Sequence, residues 1–221
     1  MTAQLYAVQA PPSLRELPAS RWLRWLDGET RARILDQRNP QDAATRLCTR
    51  RLLLYAIRDA CGVDAQSLKL ARTPAGKPYF TGPGAPHFSL SHSGAAAFCA
   101  VHGAPVGADV ERVRRVEPAL ARRVMSECEL AAFKGSTDKD GFFFRIWTLK
   151  ESYLKQTGQG IACELRSLSF TLEGDAVMFN VPGYTFGLYS LWDGYQAAAC
   201  LAFGAPPAAV IMPTLDELDD F

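Results

Sequence analysis

The chain has 221 residues, about one and a half times a common domain length, which fits one large domain or two small lobes. Hydrophobic residues at 48% and charged residues at 21% match globular averages and exclude a disordered chain. The formal net charge of +1 hides an asymmetry: residues 1–155 carry 23 basic and 15 acidic side chains (net +8), whereas residues 156–221 carry Arg166 against 8 acids (net −7), so an anionic ligand or acidic partner suits the first part and bulk nucleic-acid coating is excluded.

Taken in chain order, residues 18–38 read as a helix, with Arg21, Arg24, Arg31, Arg33 and Arg38 among Trp22, Leu23, Trp25, Leu26, Ile34 and Leu35. A second helix is predicted from Gln41 to Cys61, opened after Pro40 and stopped by Gly62. It puts Leu47, Leu54 and Ile57 near one face, and Arg46 and Arg50 on another at i, i+4. Two breaker-rich loops follow, Thr73-Pro74-Ala75-Gly76-Lys77-Pro78 and Gly82-Pro83-Gly84-Ala85-Pro86.

Strand-like runs come next: Phe88-Ser89-Leu90-Ser91, then Ala97–Val101 after a turn at Ser93-Gly94, then Val106–Glu111. The three suggest one small antiparallel sheet. Alternation puts Val106, Ala108 and Val110 on one face of the last strand and Gly107, Asp109 and Glu111 on the other. Pro118 starts a helix, and Ser126-x-x-Glu129 is a capping box that restarts it before Gly135. Asp140 is the expected cap of a helix from Gly141 to Thr157, with Gly158 as its stop. Its apolar stripe is Phe142, Ile146, Leu149 and Tyr153, while Trp147, Glu151 and Lys155 share a different face. Residues 165–203 alternate like three or four strands, and the acidic tail from Asp216 to Phe221 reads as frayed.

The six cysteines (Cys48, Cys61, Cys99, Cys128, Cys163, Cys200) form no C-x-x-C pair, so neither a zinc site nor a disulfide framework is expected. Cys99, Cys163 and Cys200 sit among small apolar residues, as buried thiols do. The N-terminus lacks the basic start and apolar run of a signal peptide, and no apolar stretch is long enough to span a bilayer. The expectation is a reduced cytoplasmic protein.

Asp109 and Glu111, two residues apart on one strand face, lie about 6–7 Å apart at the backbone, close enough to share a hard cation. The alternative is a solvated strand face. Glu151 strengthens the first reading, although Glu151 and Lys155 also read as a surface ion pair. Three acids suit Mg²⁺, which takes few carboxylates and fills its shell with phosphate oxygens and water. Lys77 is a cation on a stiff loop that is not a P-loop. His92, between Ser91 and Ser93, is either a phosphate donor or part of a plain turn. Arg46 and Arg50 either clamp phosphate or form a solvated face. No G-x-S-x-G elbow supports hydrolysis. The residues alone reach Mg²⁺-assisted chemistry on a phosphorylated small molecule.

Four segments taken together, Gly76-Lys77-Pro78, Phe88-Ser89-Leu90-Ser91-His92-Ser93, Val106-Gly107-Ala108-Asp109-Val110-Glu111 and Trp147-Thr148-Leu149-Lys150-Glu151-Ser152-Tyr153-Leu154-Lys155, give the chain its resemblance to the 4′-phosphopantetheinyl transferases. Over roughly residues 20–205 it resembles the longer class that activates nonribosomal peptide and polyketide synthases. The resemblance implies an α+β fold of two similar lobes related by a pseudo-two-fold, each a small antiparallel sheet packed on helices. The expected lobes are residues 1–112 and 113–221. It implies coenzyme A in the cleft between lobes as substrate, apo carrier domains as acceptors, and a monomer with no nucleic-acid or membrane partner. By the matched positions Asp109, Glu111 and Glu151 hold Mg²⁺, and the coenzyme A pyrophosphate bridges to it, beside Asp109. Lys77 and Pro78 line the nucleotide. His92, Arg46 and Arg33 contact the ribose 3′-phosphate, with Ser91 in the same loop. Glu151 is the implied base and Lys155 the implied group at the leaving phosphate; Glu129 supports the site. Residues 1–20 and the tail match nothing in that pattern.

Overall fold

The computed structural model describes residues 1–24, 26–74, 76–160, 164–174 and 176–220. Trp25, Ala75, Cys163 and Phe221, named above, lie outside the described residues.

One order of elements occurs twice. The first unit runs β1 (Gln4–Gln9), α1 (Ala19–Leu23), α2 (Gly28–Leu35), α3 (Pro40–Cys61), the hairpin β2 (Leu70–Arg72) and β3 (Pro78–Phe80), then β4 (His87–Ser93) and β5 (Ala96–His102). The second runs β6 (Val106–Arg112), α4 (Pro118–Val124), α5 (Glu127–Gly135), α6 (Lys139–Thr157), the hairpin β7 (Phe170–Glu173) and β8 (Ala176–Phe179), then β9 (Thr185–Leu191) and β10 (Tyr195–Leu201). Each unit makes a three-stranded antiparallel sheet with its last strand in the centre, β1-β5-β4 and β6-β10-β9. A last helix, α7 (Leu215–Asp219), follows. The α+β class of two similar units, each a small sheet packed on helices, is as expected.

The layers follow from the period of two. Tyr6, Val8, Ala97, Cys99 and Val101 face α3 in one core, while Leu5, Ala7, Phe98 and Ala100 face Val106, Ala108, Val110, Ala197 and Ala199 of the other sheet. Helix α6 covers the far side of the second sheet through Phe143, Ile146, Leu149 and Ala198. The order is helix, sheet, sheet, helix. Alanines dominate the middle core because two backbones can approach closely only over small side chains.

Four expectations change. The helix over 18–38 is two helices: Asp27 accepts from Thr30 N (2.8 Å) and caps α2, while the Arg31 guanidinium bonds the carbonyls of Leu23 and Leu26 at the end of α1. A cap inside a periodic pattern ends the helix there. β6 pairs with β10 rather than extending the sheet of β4 and β5. Asp138, not Asp140, caps α6 by accepting from Gly141 N, and Asp140 accepts instead from Val116 N. The sequence pattern assigns no element to residues 4–9, which form β1, whose Ala7 and Leu5 exchange backbone hydrogen bonds with Ile211. The tail is not frayed, since Thr214 caps α7 in a capping box and Leu218 is fully buried.

Helix α6 is fixed at two points. At Gly107 an added Cβ would lie 1.8 Å from the Ser152 carbonyl oxygen and 2.6 Å from Gln156 N, so β6 and α6 meet backbone to backbone. On another side Lys150, fully buried, donates to Glu129 (2.6 Å), Val124 O and Leu165 O. Glu129 also accepts from Ser126 N and Phe170 N, so the pair ties α4, α5, α6 and β7 with its charges satisfied. Burial lowers the Lys150 pKa and Glu129 opposes that shift. Lys150→Met is expected to destabilise the fold by about 3–5 kcal/mol, because Glu129 is left charged and buried without its partner. Urea unfolding checks this, and a loss below about 1 kcal/mol, the scale of a surface pair, would deny the pair its structural role. Gly107→Ala is expected to abolish any activity that needs β6 and α6 side chains together, read by enzyme assay on protein whose far-UV circular dichroism is retained.

Candidate active site

The face of β6 that carries Gly107, Asp109 and Glu111 turns toward α6, and β4 runs beside it. Alternation on β4 sends Ser89, Ser91 and Ser93 to β6. Ser89 Oγ accepts from Ala108 N (2.9 Å), Ser91 Oγ donates to Asp109 Oδ1 (2.7 Å) and Ser93 Oγ donates to Glu111 Oε2 (2.6 Å). Three hydroxyls at period two thus join the edges of the two sheets. The other β4 face gives Phe88, Leu90 and His92 to the cleft.

Asp109 is 4% exposed. Its Oδ1 also accepts from Lys155 Nζ (2.6 Å), while Oδ2 is buried without a hydrogen-bond partner. Burial raises its pKa, and Lys155 and Ser91 pull it back. Glu111 Oε2 also accepts from Arg114 (3.2 Å). Glu151, one helical turn before Lys155, is pushed up by burial and then by the Asp109 charge, against Lys155. Among the described residues no three His, Cys, Asp or Glu side chains converge into a ready metal cage. The three acids share a field, with Asp109 and Glu111 each held by a serine and a cation. The donor set nevertheless suits a hard cation, because the unpartnered Asp109 Oδ2 adjoins a carboxylate whose charge is disfavoured until positive charge arrives.

Glu151 and Lys155 line a cavity of about 290 Å³ with Lys77, Pro78, Phe88 and Leu154. Pro78 and Leu90 also wall a second cavity of about 220 Å³, where Arg33, Arg46, Arg50, Arg72 and His92 meet. The two cavities adjoin across the shared Pro78 and Leu90. Burial and the charges of Arg46, Lys155 and Arg50 push the His92 pKa down to about 4, so the imidazole is neutral in a pocket whose wall carries four arginines. Burial and then Arg72 lower Arg50. Such a pocket favours an anion, which would offset the repulsion.

The structure brings Arg33, Arg46, Pro78 and His92 together at one end, and Asp109, Glu151 and Lys155 at the other, with Ser91 and Glu111 behind the acids. Lys77 lines the cleft, but its Nζ donates to the carbonyls of Lys155 and Val106 (3.4 Å), so it bridges the two units. Burial lowers its pKa. Sequence reasoning left Arg50 as a possible surface residue and missed Arg72. The available signal for Arg72 was local: it pairs with Pro78 in the β2–β3 hairpin, which brings it back to the Gly-Lys-Pro loop.

Residues 105–200 match the family model of the 4′-phosphopantetheinyl transferase superfamily, and residues 12–104 match that of 4′-phosphopantetheinyl transferase, N-terminal. The chain is 26% identical to the 4′-phosphopantetheinyl transferase Sfp of Bacillus subtilis, over 97% of this chain and 99% of that one. It is 30% identical to the 4′-phosphopantetheinyl transferase psf-1 of Bacillus pumilus, over 72% of this chain and 71% of that one. A solved holo-[acyl-carrier-protein] synthase of Thermotoga maritima aligns at 23% identity and a TM-score of 0.38, covering 43% of this chain and 61% of that one. With the relatives of both Bacillus species spanning most or all of their length, and the two models meeting in the turn before β6, the chain belongs to the 4′-phosphopantetheinyl transferases.

Proposed function

We propose that this phosphopantetheinyl transferase moves the 4′-phosphopantetheine arm of coenzyme A to a serine of an apo carrier domain, with Mg²⁺ and with release of 3′,5′-ADP. The acceptors are carrier domains of nonribosomal peptide, polyketide or fatty acid synthases. The observation that carries the reading is that the arginine-lined pocket of His92 adjoins the Glu151–Lys155 cavity across Pro78 and Leu90, which matches a donor with a terminal phosphate at one end and a reacting pyrophosphate at the other. The two units act in this reading as lobes of one monomer, the first ending at the turn before β6, because β6 pairs with β10.

In this reading Arg33, Arg46 and His92 hold the 3′-phosphate, joined by Arg50 and Arg72, and Lys77 and Pro78 border the nucleotide. Asp109, Glu151 and, behind them, Glu111 would hold Mg²⁺, which when bound supplies neutralisation of pyrophosphate charge. The carrier serine Oγ attacks the β-phosphorus; a new P–O bond forms there and the bond to the bridging oxygen of 3′,5′-ADP breaks. Glu151, with a raised proton affinity from burial and Asp109, takes the serine proton directly or through a water. Lys155, held by Asp109 at the cavity wall, turns its ammonium to the leaving phosphate.

Intact-protein mass spectrometry of an apo carrier domain incubated with the chain, coenzyme A and Mg²⁺ tests the reading. A gain of one phosphopantetheine arm, abolished by chelator and by mutation of the carrier serine, is expected; no gain across several carrier types would refute it. Asp109→Ala and Glu151→Gln are each expected to lower kcat/KM by about 10²-fold or more in folded protein, and normal turnover in Glu151→Gln would remove it as base. Burial and Asp109 raise Glu151 in the metal-free chain, and Mg²⁺ at the acids would pull it down, so kcat/KM should fall as pH drops through an acid limb that moves to lower pH as Mg²⁺ is raised. His92, with a pKa of about 4, stays neutral across that limb, so His92→Asn should raise KM for coenzyme A without moving the limb. A limb that shifts in His92→Asn would assign it to the histidine.

A further inference from the structure

The acidic tail ends on the helices that carry the basic pocket. After β10 the chain returns to the first unit, pairs at Ile211 with the outer edge of β1, and lays α7 on α3. Arg51, on α3 beside Arg50, donates to the Leu218 carbonyl from Nε (3.1 Å) and Nη2 (2.5 Å). Asp219 accepts from the Trp22 indole N–H (2.7 Å) and pairs with Arg21, and the Arg51 guanidinium lies over the Trp22 ring at 5.2 Å.

Trp22 is the only buried residue of the five-residue helix α1, so its indole sets where α1 sits. The Arg31 side chain then fastens the carbonyls of Leu23 and Leu26, which end α1 and its linker, to α2. Arg33 is two residues further along α2, pairs there with Glu29 one turn before it, and lines the basic pocket from that helix. Ile34 is the only buried residue of α2, while α1 is anchored by Trp22 with Ala19 and Leu23 packed partly buried beside it, and Trp22 is closed over by the C-terminal helix.

We infer that the C-terminal helix is a positioning clamp for the anion pocket, in which Asp219 and Arg51 hold Trp22, and through α1 and the Arg31 side chain set Arg33 against Arg46 and His92. The inference rests on the proposed reading of that pocket as the 3′-phosphate site. Asp219 and Arg51 touch no substrate; they act through Arg33. Two acids of the net-negative terminal segment are used within the protein in this way, Asp219 on Arg21 and the Trp22 N–H and Glu217 in the α7 cap.

Full-length Asp219→Ala and Trp22→Phe, each assayed with coenzyme A and with dephospho-coenzyme A, test the clamp. Each variant should raise the KM for coenzyme A about ten-fold, the size of one charge-assisted hydrogen bond, with kcat unchanged and with the KM for dephospho-coenzyme A unmoved. In an Arg33→Ala background the Asp219→Ala change should have no further effect on KM, since the two act through one contact. Equal KM increases for both donors, or effects of Arg33→Ala and Asp219→Ala that multiply, would overturn the clamp and leave α7 a purely structural element. A wild-type chain that treats the two donors alike would instead overturn the assignment of the pocket itself.

Discussion

Where β6 crosses α6 there is no room for a side chain. The hypothetical methyl of residue 107 would overlap the Ser152 carbonyl at 1.8 Å, so the strand and helix backbones are in direct contact at that point. This contact sets the depth of everything beyond it. Two residues along β6, Asp109 meets Lys155 Nζ at 2.6 Å, a distance a helix set further out could not give. Glycine is thus part of the catalytic geometry although it has no functional group, and the G-x-D-x-E pattern reads physically as a close approach followed by two carboxylates on the approached face.

The same contact needs support from the opposite side, because a carboxylate as buried as Asp109 stays charged only with partners. β4 supplies them through serines. An alanine ladder at 89, 91 and 93 would leave the Ala108 N–H without its acceptor and remove one donor from each of Asp109 and Glu111. Larger polar residues would push the sheets apart. The hydroxyl is the smallest group that both donates and accepts, which explains how one edge strand can join a second sheet and still give its other face, Phe88, Leu90 and His92, to the ligand cleft.

Much of this was legible in the sequence because it is local. The 3.6 period located α6 with Glu151 and Lys155 one turn apart, the Ser126–Glu129 box located α5, and alternation put Asp109 and Glu111 on one strand face. Pairing was not legible. Alternation says which residues share a face and nothing about which strand lies beside it, so β6 read as a neighbour of β5, whereas its partner β10 lies some ninety residues on. The tail failed for a related reason. Its few apolar residues carry no period, and only the fold shows that Leu218 has a core to enter. Arg72 lies in a three-residue strand, too short to show a pattern, and reaches the pocket through the pairing of its hairpin. The metal reading stands between: the acids are where the spacing placed them, yet Ser93 and Arg114 already hold Glu111, a fact spacing cannot convey.

The charge asymmetry that opens the sequence acquires a structural sense in α3. Arg50 and Arg51 are adjacent and so point about a quarter-turn or more apart around the helix. Arg50 faces the anion pocket with Arg46, whereas Arg51 faces the C-terminal helix and gives its hydrogen bonds to a carbonyl there. One helix therefore presents two cationic rows with different fates, one bound within the protein and one left for ligand. Had the tail's carboxylates reached Arg46 or Arg50, they would have competed with the phosphate for the same donors. Asp219 is instead engaged by Arg21 and the Trp22 N–H, so a nearly neutral protein can still carry a local positive field where Arg46 and Arg50 line the pocket.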